Sequence, residues 1–164
     1  MRAIAFTGNS NSGKTTLIEK LTLYLKINFP NKRVSIIKHD PKDKATLDTP
    51  GKDSARFFQT GADIAIRGAT QTTLRFHKNL SIDSLIDYFE EYDYLFVEGL
   101  KELSLPRICV ARDYFDERFL PYIQAIAIDP TLKKELLNSY KLPILDLNNA
   151  QQILEWINAN IKEL

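Results

Sequence analysis

Ala3-Ile4-Ala5-Phe6-Thr7-Gly8-Asn9-Ser10-Asn11-Ser12-Gly13-Lys14-Thr15-Thr16 is the stretch from which the rest of this chain is read. Gly8 to Thr15 matches G-x-x-x-x-G-K-[ST] in full, with an apolar run before it and a helix-periodic run after it, the context that gives the pattern meaning. Gly8 lets the chain leave a strand at a sharp angle. Gly13 carries no side chain to keep backbone amides away from phosphate oxygens. A helix starting near Lys14 points unpaired N–H groups and the positive end of its dipole at the same anion. Lys14 then reaches the outer phosphates, and the Thr15 hydroxyl is placed to ligate a magnesium ion bridging them.

Working outward, Leu17, Leu21, Tyr24 and Leu25 fall on one helical face, and Pro30 ends that helix. Val34 to Ile37 is a short β-branched run, as expected of a parallel strand covered on both faces, and it completes a βαβ unit. Lys38, His39 and Asp40 follow, then a polar stretch through Asp48 to Pro50 and Gly51. Ligands of open parallel sheets bind beyond the carboxyl ends of strands, where this segment emerges, and loops of this length tend to be functional. Asp40 is therefore a candidate to hold magnesium through water or to orient an attacking water. His39 reads equally as a ligand-side residue or as a polar side chain satisfied by backbone.

Asp53 or Ser54 can cap a short helix that holds Phe57 and Phe58 and closes at Gly61. Ile64 to Phe76 resembles a strand pair turning at Gly68, Ala69 and Thr70, able to form an edge or an oligomer contact. Ser81 caps the next amphipathic helix, marked by Ile82, Leu85, Ile86 and Phe89. Tyr94 to Val97 is a buried strand with Glu98 at its tip, where an acid that holds magnesium or polarises water belongs, although Asp is the usual residue there. Lys101, Glu102 and Pro106 lie in the connection that follows. Ile108 to Ala111, Ile123 to Ile128 and Leu142 to Leu147 are further strands, with Pro130 expected in the first turn of a helix. Ile153, Trp156, Ile157 and Ile161 stripe the last helix. The element order implies an α/β fold, a P-loop NTPase three-layer sandwich with a mostly parallel sheet and an extra β-hairpin, as a single nucleotide-binding domain over residues 1–164.

The 164 residues are enough for a sizeable core without disulfides or metals. With 22 Lys and Arg against 21 Asp and Glu the net charge is +1, which implies no general attraction to nucleic acid or anionic lipid. The single cysteine, Cys109, lies in an apolar run and reads as a buried small hydrophobe. The amino terminus enters a strand without a long apolar leader, and no apolar run approaches the roughly 18 residues of a membrane span, so a soluble cytoplasmic protein is expected.

The loop at Gly8, the Lys38-His39-Asp40 strand end, the Asp48-Thr-Pro-Gly-Lys-Asp-Ser54 loop, the Gly61-Ala-Asp63 turn and the Val97-Glu98-Gly99-Leu100-Lys101 segment together resemble MobB. MobB is the GTP-binding adaptor family of molybdopterin guanine dinucleotide biosynthesis. The likeness runs over nearly the whole chain, and the later segments, in this order and spacing, are more specific than the loop alone. It implies a cytoplasmic, usually dimeric GTP-binding protein with weak GTPase activity, assisting the nucleotidyltransferase MobA, which joins GMP to molybdopterin. By position, Asn11, Ser12, Gly13, Lys14, Thr15 and Thr16 would bind the phosphates of GTP. Thr15 would bind Mg2+, and Asp40 and Glu98 its coordination sphere or the water. The Asp48 to Ser54 loop would face a partner or a second nucleotide-linked ligand. The N-K-x-D signature that reads guanine in many GTPases is absent. In its place the strand tip reads Ala127-Ile128-Asp129-Pro130, where Asp129 offers an acceptor to guanine N1 and N2.

Two other readings use the same loop. A small-molecule or nucleotide kinase needs a lid of positive groups, for which Arg107, Arg112 and Arg118 are candidates, but they straddle a strand instead of clustering. A nickel-insertion GTPase needs soft or imidazole ligands, and one Cys with His39 and His77 far apart in sequence makes a poor set.

Overall fold

Among the described residues six parallel strands form one sheet, in the order Val34–Lys38, Tyr94–Glu98, Arg2–Thr7, Arg107–Ala111, Ala125–Ile128 and Ile144–Asp146, which puts the Gly8–Thr16 loop at its middle. In chain order the strands are β1 (Arg2–Thr7), β2 (Val34–Lys38), β3 (Ile64–Arg67), β4 (Thr72–Arg75), β5 (Tyr94–Glu98), β6 (Arg107–Ala111), β7 (Ala125–Ile128) and β8 (Ile144–Asp146). The α-helices are α1 (Lys14–Asn28), α2 (Asp53–Gln59), α3 (Ile82–Asp87) and α4 (Ala150–Asn160). The computed structural model describes residues 1–89, 91–100 and 102–163. They fall into two compact units, Met1–His39 with Glu91–Leu164, and Asp40–Glu90.

In the larger unit the period of two along each strand sorts side chains between the faces. Ile4, Phe6, Phe96, Ile108, Val110 and Leu145 share one buried cluster with Leu17, Leu21 and Leu25 of α1 and Ile153, Leu154 and Ile157 of α4. Phe6 and Phe96 meet edge to face, with ring centroids 5.7 Å apart. On β6 and β7 the opposite face, Cys109, Ala111, Ile126 and Ile128, packs under Phe119 and Leu137, which come from two 3-10 helices, Glu117–Tyr122 and Lys134–Tyr140. These strands are buried on both faces, which is why they read as continuous apolar runs. After β1 the chain first builds the β2 and β5 side and then crosses to β6. The crevice for ligands in such a sheet lies at that reversal, beside the carboxyl end of β1.

Three details differ from the sequence reading. Pro130 does not start a helix. It sits at the second position of a turn in which Leu132 N–H donates to the Asp129 carbonyl at 3.0 Å, and the Asp129 side chain takes the Thr131 N–H at 3.1 Å. That side-chain bond competes with helix formation, and regular structure resumes only at Lys134, as 3-10 helix. The strands expected over Ile123–Ile128 and Leu142–Leu147 are shorter, because Ile123 caps a 3-10 helix and the ladder to β8 closes at Asp146. Helix α2 starts at Asp53 after Lys52, with no side-chain cap.

The smaller unit carries α2, α3 and the hairpin β3-β4, antiparallel with Ile64 opposite Arg75 and Arg67 opposite Thr72. Gly68 N–H donates to Gln71 O at 2.8 Å and closes its turn. Gly61, at φ 92, follows α2 as a left-handed stop, and Ser81 Oγ accepts Ser84 N–H to cap α3. Arg75 holds the family-like loop from within this unit. It pairs with Asp48 at 3.0 Å and lies over the Phe58 ring at 3.8 Å, and Phe58 stacks on His77.

Candidate functional site

Gly8 leaves β1 at φ 136, and a Cβ there would lie 2.3 Å from the Val110 carbonyl oxygen, so no other residue fits between loop and sheet. Asn11 and Gly13 also take left-handed conformations, φ 62 and φ 100, folding the backbone into a nest. Helix α1 then starts with no side-chain cap and no acidic residue in its first turn. Both features suit an anion at its N-terminus. Ser12 Oγ is buried and has no hydrogen-bond partner among the described residues. A buried hydroxyl left so is costly, and a phosphate oxygen is the kind of acceptor that would satisfy it. Lys14 folds its ammonium back over the loop, donating to Gly8 O at 3.1 Å and Asn9 O at 2.6 Å.

The acid comes from the neighbouring strand. Thr15 Oγ1 stands 3.0 and 2.9 Å from the two Glu98 carboxylate oxygens, and Lys38 Nζ lies 3.3 Å from both. Lys38 and Glu98 are directly opposed in the β2-β5 ladder, and Phe6 opposes Glu98 on β1. His39 continues that ladder by donating its N–H to Glu98 O at 3.0 Å, with its Cβ close against Gly99. A cavity of about 590 Å3 is lined by Asn11, Lys14, Thr15, Lys38, Glu98 and Arg112, among others. That volume suits a small-molecule ligand.

The remaining candidates separate. Gly8, Asn11, Ser12, Gly13, Lys14, Thr15 and Thr16 lie in one loop and its helix start, and Glu98 meets them at Thr15. Asp129, at the end of β7, lies 3.9 Å from Arg112 Nε. The Thr131 N–H above all, with the nearby Arg112 charge and the Asn148 side chain, holds its carboxyl below the usual carboxylate range. Asp40 belongs to the smaller unit, where its carboxylate takes the N–H groups of Ala45 at 2.6 Å and Lys42 at 3.4 Å and so ties its own loop. Lys101, which closes one of the family-like segments, lies outside the described residues.

Of the three arginines weighed as a lid, Arg107 is buried with its guanidinium donating to the carbonyls of Gly99, Leu100 and Leu103, and burial pushes its pKa down. Arg118 is exposed and paired with Asp116 at 2.6 Å. Arg112 lines the cavity. Neither Arg112 nor Lys38 was assigned to the phosphate site from the sequence. Lys38 stands at a visible strand end, but its pairing with Glu98 depends on the order β2-β5-β1, and the approach of Arg112 to Gly13 is likewise tertiary.

A family model for molybdopterin guanine dinucleotide synthesis protein B, MobB, matches residues 3–129. The chain belongs to the MobB family. The matched span includes the whole loop, Lys38, Glu98 and Arg112 and ends at Asp129. Among relatives, the chain is 30% identical over 164 residues to a probable molybdopterin-guanine dinucleotide biosynthesis adapter protein of Bacillus subtilis, covering 97% of this chain and 92% of that one. It is 33% identical to the adapter protein of Haemophilus influenzae, covering 94% and 86%. A putative adapter protein of Methanocaldococcus jannaschii is 30% identical over 119 residues, 69% of this chain, and the match spans about half of that relative, 48%. A crystal structure of Bacillus subtilis MobB superposes with a TM-score of 0.74 at 22% identity over the full length of both chains. The hydrogenase maturation factor HypB of Archaeoglobus fulgidus superposes at 0.55 and 16% identity, covering 97% and 88%, a likeness of fold. Among the described residues no helix is long and apolar enough to cross a membrane.

Proposed function

We propose that this MobB-family chain is a GTP-binding adaptor with weak GTPase activity that assists MobA in attaching GMP to molybdopterin, in the cytoplasm and as a homodimer. The observation that carries the nucleotide reading is the meeting of Thr15 and Glu98 over the Gly8–Thr16 loop. A hydroxyl and a carboxylate converge there beside a nest of amides, the donor set a triphosphate with its metal calls for. The adapter names of the relatives in Bacillus subtilis and Haemophilus influenzae support the biosynthetic role.

The amides from Asn11 to Thr16, with Lys14 and Ser12, would hold the phosphates of GTP. Thr15 and Glu98 would hold Mg2+. Such an ion neutralises charge on the outer phosphate oxygens. It needs few protein ligands because phosphates and waters supply the rest. That accords with a site where, among the described residues, no three His, Cys, Asp or Glu side chains gather. Lys38 neutralises Glu98 and would give it up to the metal. The Asp129 carboxylate, kept ionised, would accept from guanine N1 and N2. Slow hydrolysis suits a protein whose bound nucleotide orders partner-facing loops.

Competition between GTP and ATP for the purified protein, with magnesium present, tests this. At least a tenfold guanine preference is expected. Equal competition overturns the guanine assignment, and transfer of a labelled phosphoryl group to an acceptor other than water would replace the adaptor reading with a kinase.

A further inference from the structure

Arg112 combines a pinned backbone with a loosely held charge. Its carbonyl accepts the Thr131 hydroxyl at 2.9 Å, and the preceding carbonyl, of Ala111, accepts the Asp129 N–H at 3.1 Å. Its side chain, by contrast, is 45% exposed, and its guanidinium reaches Asp129 only at 3.9 Å, beyond hydrogen-bond length. The Asp129 carboxylate has a bond that does not need it, from the Thr131 N–H at 3.1 Å. On its other side the guanidinium lies against the phosphate loop. A Cβ on Gly13 would be 3.4 Å from one of its terminal nitrogens, so the missing side chain of Gly13 leaves room for that approach. Arg112 also lines the same cavity as Lys14, Thr15 and Glu98.

We propose that Arg112 is a phosphate-binding residue held in reserve by Asp129: when phosphates occupy the loop, the guanidinium leaves the carboxylate and takes phosphate oxygens beside Gly13. The inference rests on the nucleotide reading above and deepens it. A guanidinium fork matches phosphate oxygens two at a time, and its bond to a phosphate is charge-assisted. The contact it gives up is a single long, half-solvated ion pair, worth little. The exchange also uncovers the Asp129 carboxylate, so grip on the phosphates and access to the base-side acceptor rise together. Because Gly13 cradles the inner part of the anion, the contact is made to GDP as well as GTP.

The test is equilibrium binding, with magnesium, to the native chain and to Arg112→Gln, Arg112→Lys, Asp129→Asn and Lys14→Ala, each first shown to melt cooperatively. Arg112→Gln is expected to weaken GTP and GDP alike by about tenfold, with Arg112→Lys losing less. Base-free tripolyphosphate, displacing a fluorescent GTP analogue, isolates the exchange: Asp129→Asn, which removes the competitor, is expected to bind it severalfold more tightly than the native chain. Native GTP affinity in Arg112→Gln, alongside loss in Lys14→Ala, overturns the role of Arg112 and leaves the phosphate loop standing. Tripolyphosphate affinity in Asp129→Asn at or below the native value overturns the exchange. Unchanged GTP binding in Lys14→Ala overturns the nucleotide reading itself.

Discussion

Thr15 and Glu98, 83 residues apart in the chain, meet with the threonine hydroxyl oxygen 3.0 and 2.9 Å from the two carboxylate oxygens. The pair joins the first turn of α1 to the tip of β5. Thr15→Val and Glu98→Gln are therefore expected to remove most of the gain in nucleotide affinity that magnesium brings, a factor of ten or more, while leaving binding in chelator near native. Without metal, Glu98→Gln is expected to bind slightly more tightly, because it lifts a negative charge from beside the phosphates. Calorimetry with and without magnesium reads both effects. A native magnesium dependence in both variants would remove these residues from the metal site.

Gly8→Ala is expected to destabilise the larger unit by about 3 kcal/mol, combining a left-handed φ with a backbone clash. The clash is with the Val110 carbonyl at 2.3 Å, and neither partner is a flexible side-chain end. Gly61→Ala, where φ is 92 but nothing lies within 4 Å, isolates the conformational part and should cost about 1 kcal/mol. Urea titration of the two variants separates the effects, and equal losses would refute the clash.

Arg107→Leu is expected to cost about 3 kcal/mol by taking the donor from the half-buried carbonyls of Gly99, Leu100 and Leu103. Arg107→Lys should recover only part, since an ammonium lacks the spread of the guanidinium fork. The first two of these carbonyls follow directly on Glu98, so Arg107→Leu should also weaken magnesium-dependent nucleotide binding. Chemical denaturation and the same calorimetry test the two halves separately.

Cys109 is buried, and desolvation pushes its thiol from 9.0 up to about 12. Between those values the folded chain keeps a proton that the unfolded chain has lost, so folding stability should fall as pH rises from about 9 toward 12 and be indifferent to this group below that window. Alkylation of the native protein at neutral pH is expected to track unfolding. Rapid labelling without unfolding would contradict the burial.

The loop, the helix after it and the flanking strands were legible because their signals are contiguous: a motif, a 3.6-residue period and short β-branched runs. Glu98 was legible for a different reason, as an acid immediately after a buried strand. Lys38 sits at an equally visible strand end, but its pairing with Glu98 needs the order β2-β5-β1, which no local pattern carries. Arg112 was visible only as one of three scattered arginines, and packing assigns the three to different tasks: Arg107 to carbonyls, Arg118 to Asp116, Arg112 to the cavity. Pro130 misled because its preference for a first helical turn was outweighed by the Asp129 side chain taking the Thr131 N–H.

The pairing of Glu98 with Phe6 on one side and Lys38 on the other has a consequence for how this protein can be regulated. The carboxylate is rooted in a strand that is laddered on both sides, and paired core strands lie at the high end of the range of local opening energies. Sliding β5 by one residue would turn the acid to the opposite face, together with Phe96, and bring Val97 or Gly99 to its place. What tunes this protein then acts most cheaply through the reach of side chains across the strand tips, because the paired strands beneath them are the costlier part to move.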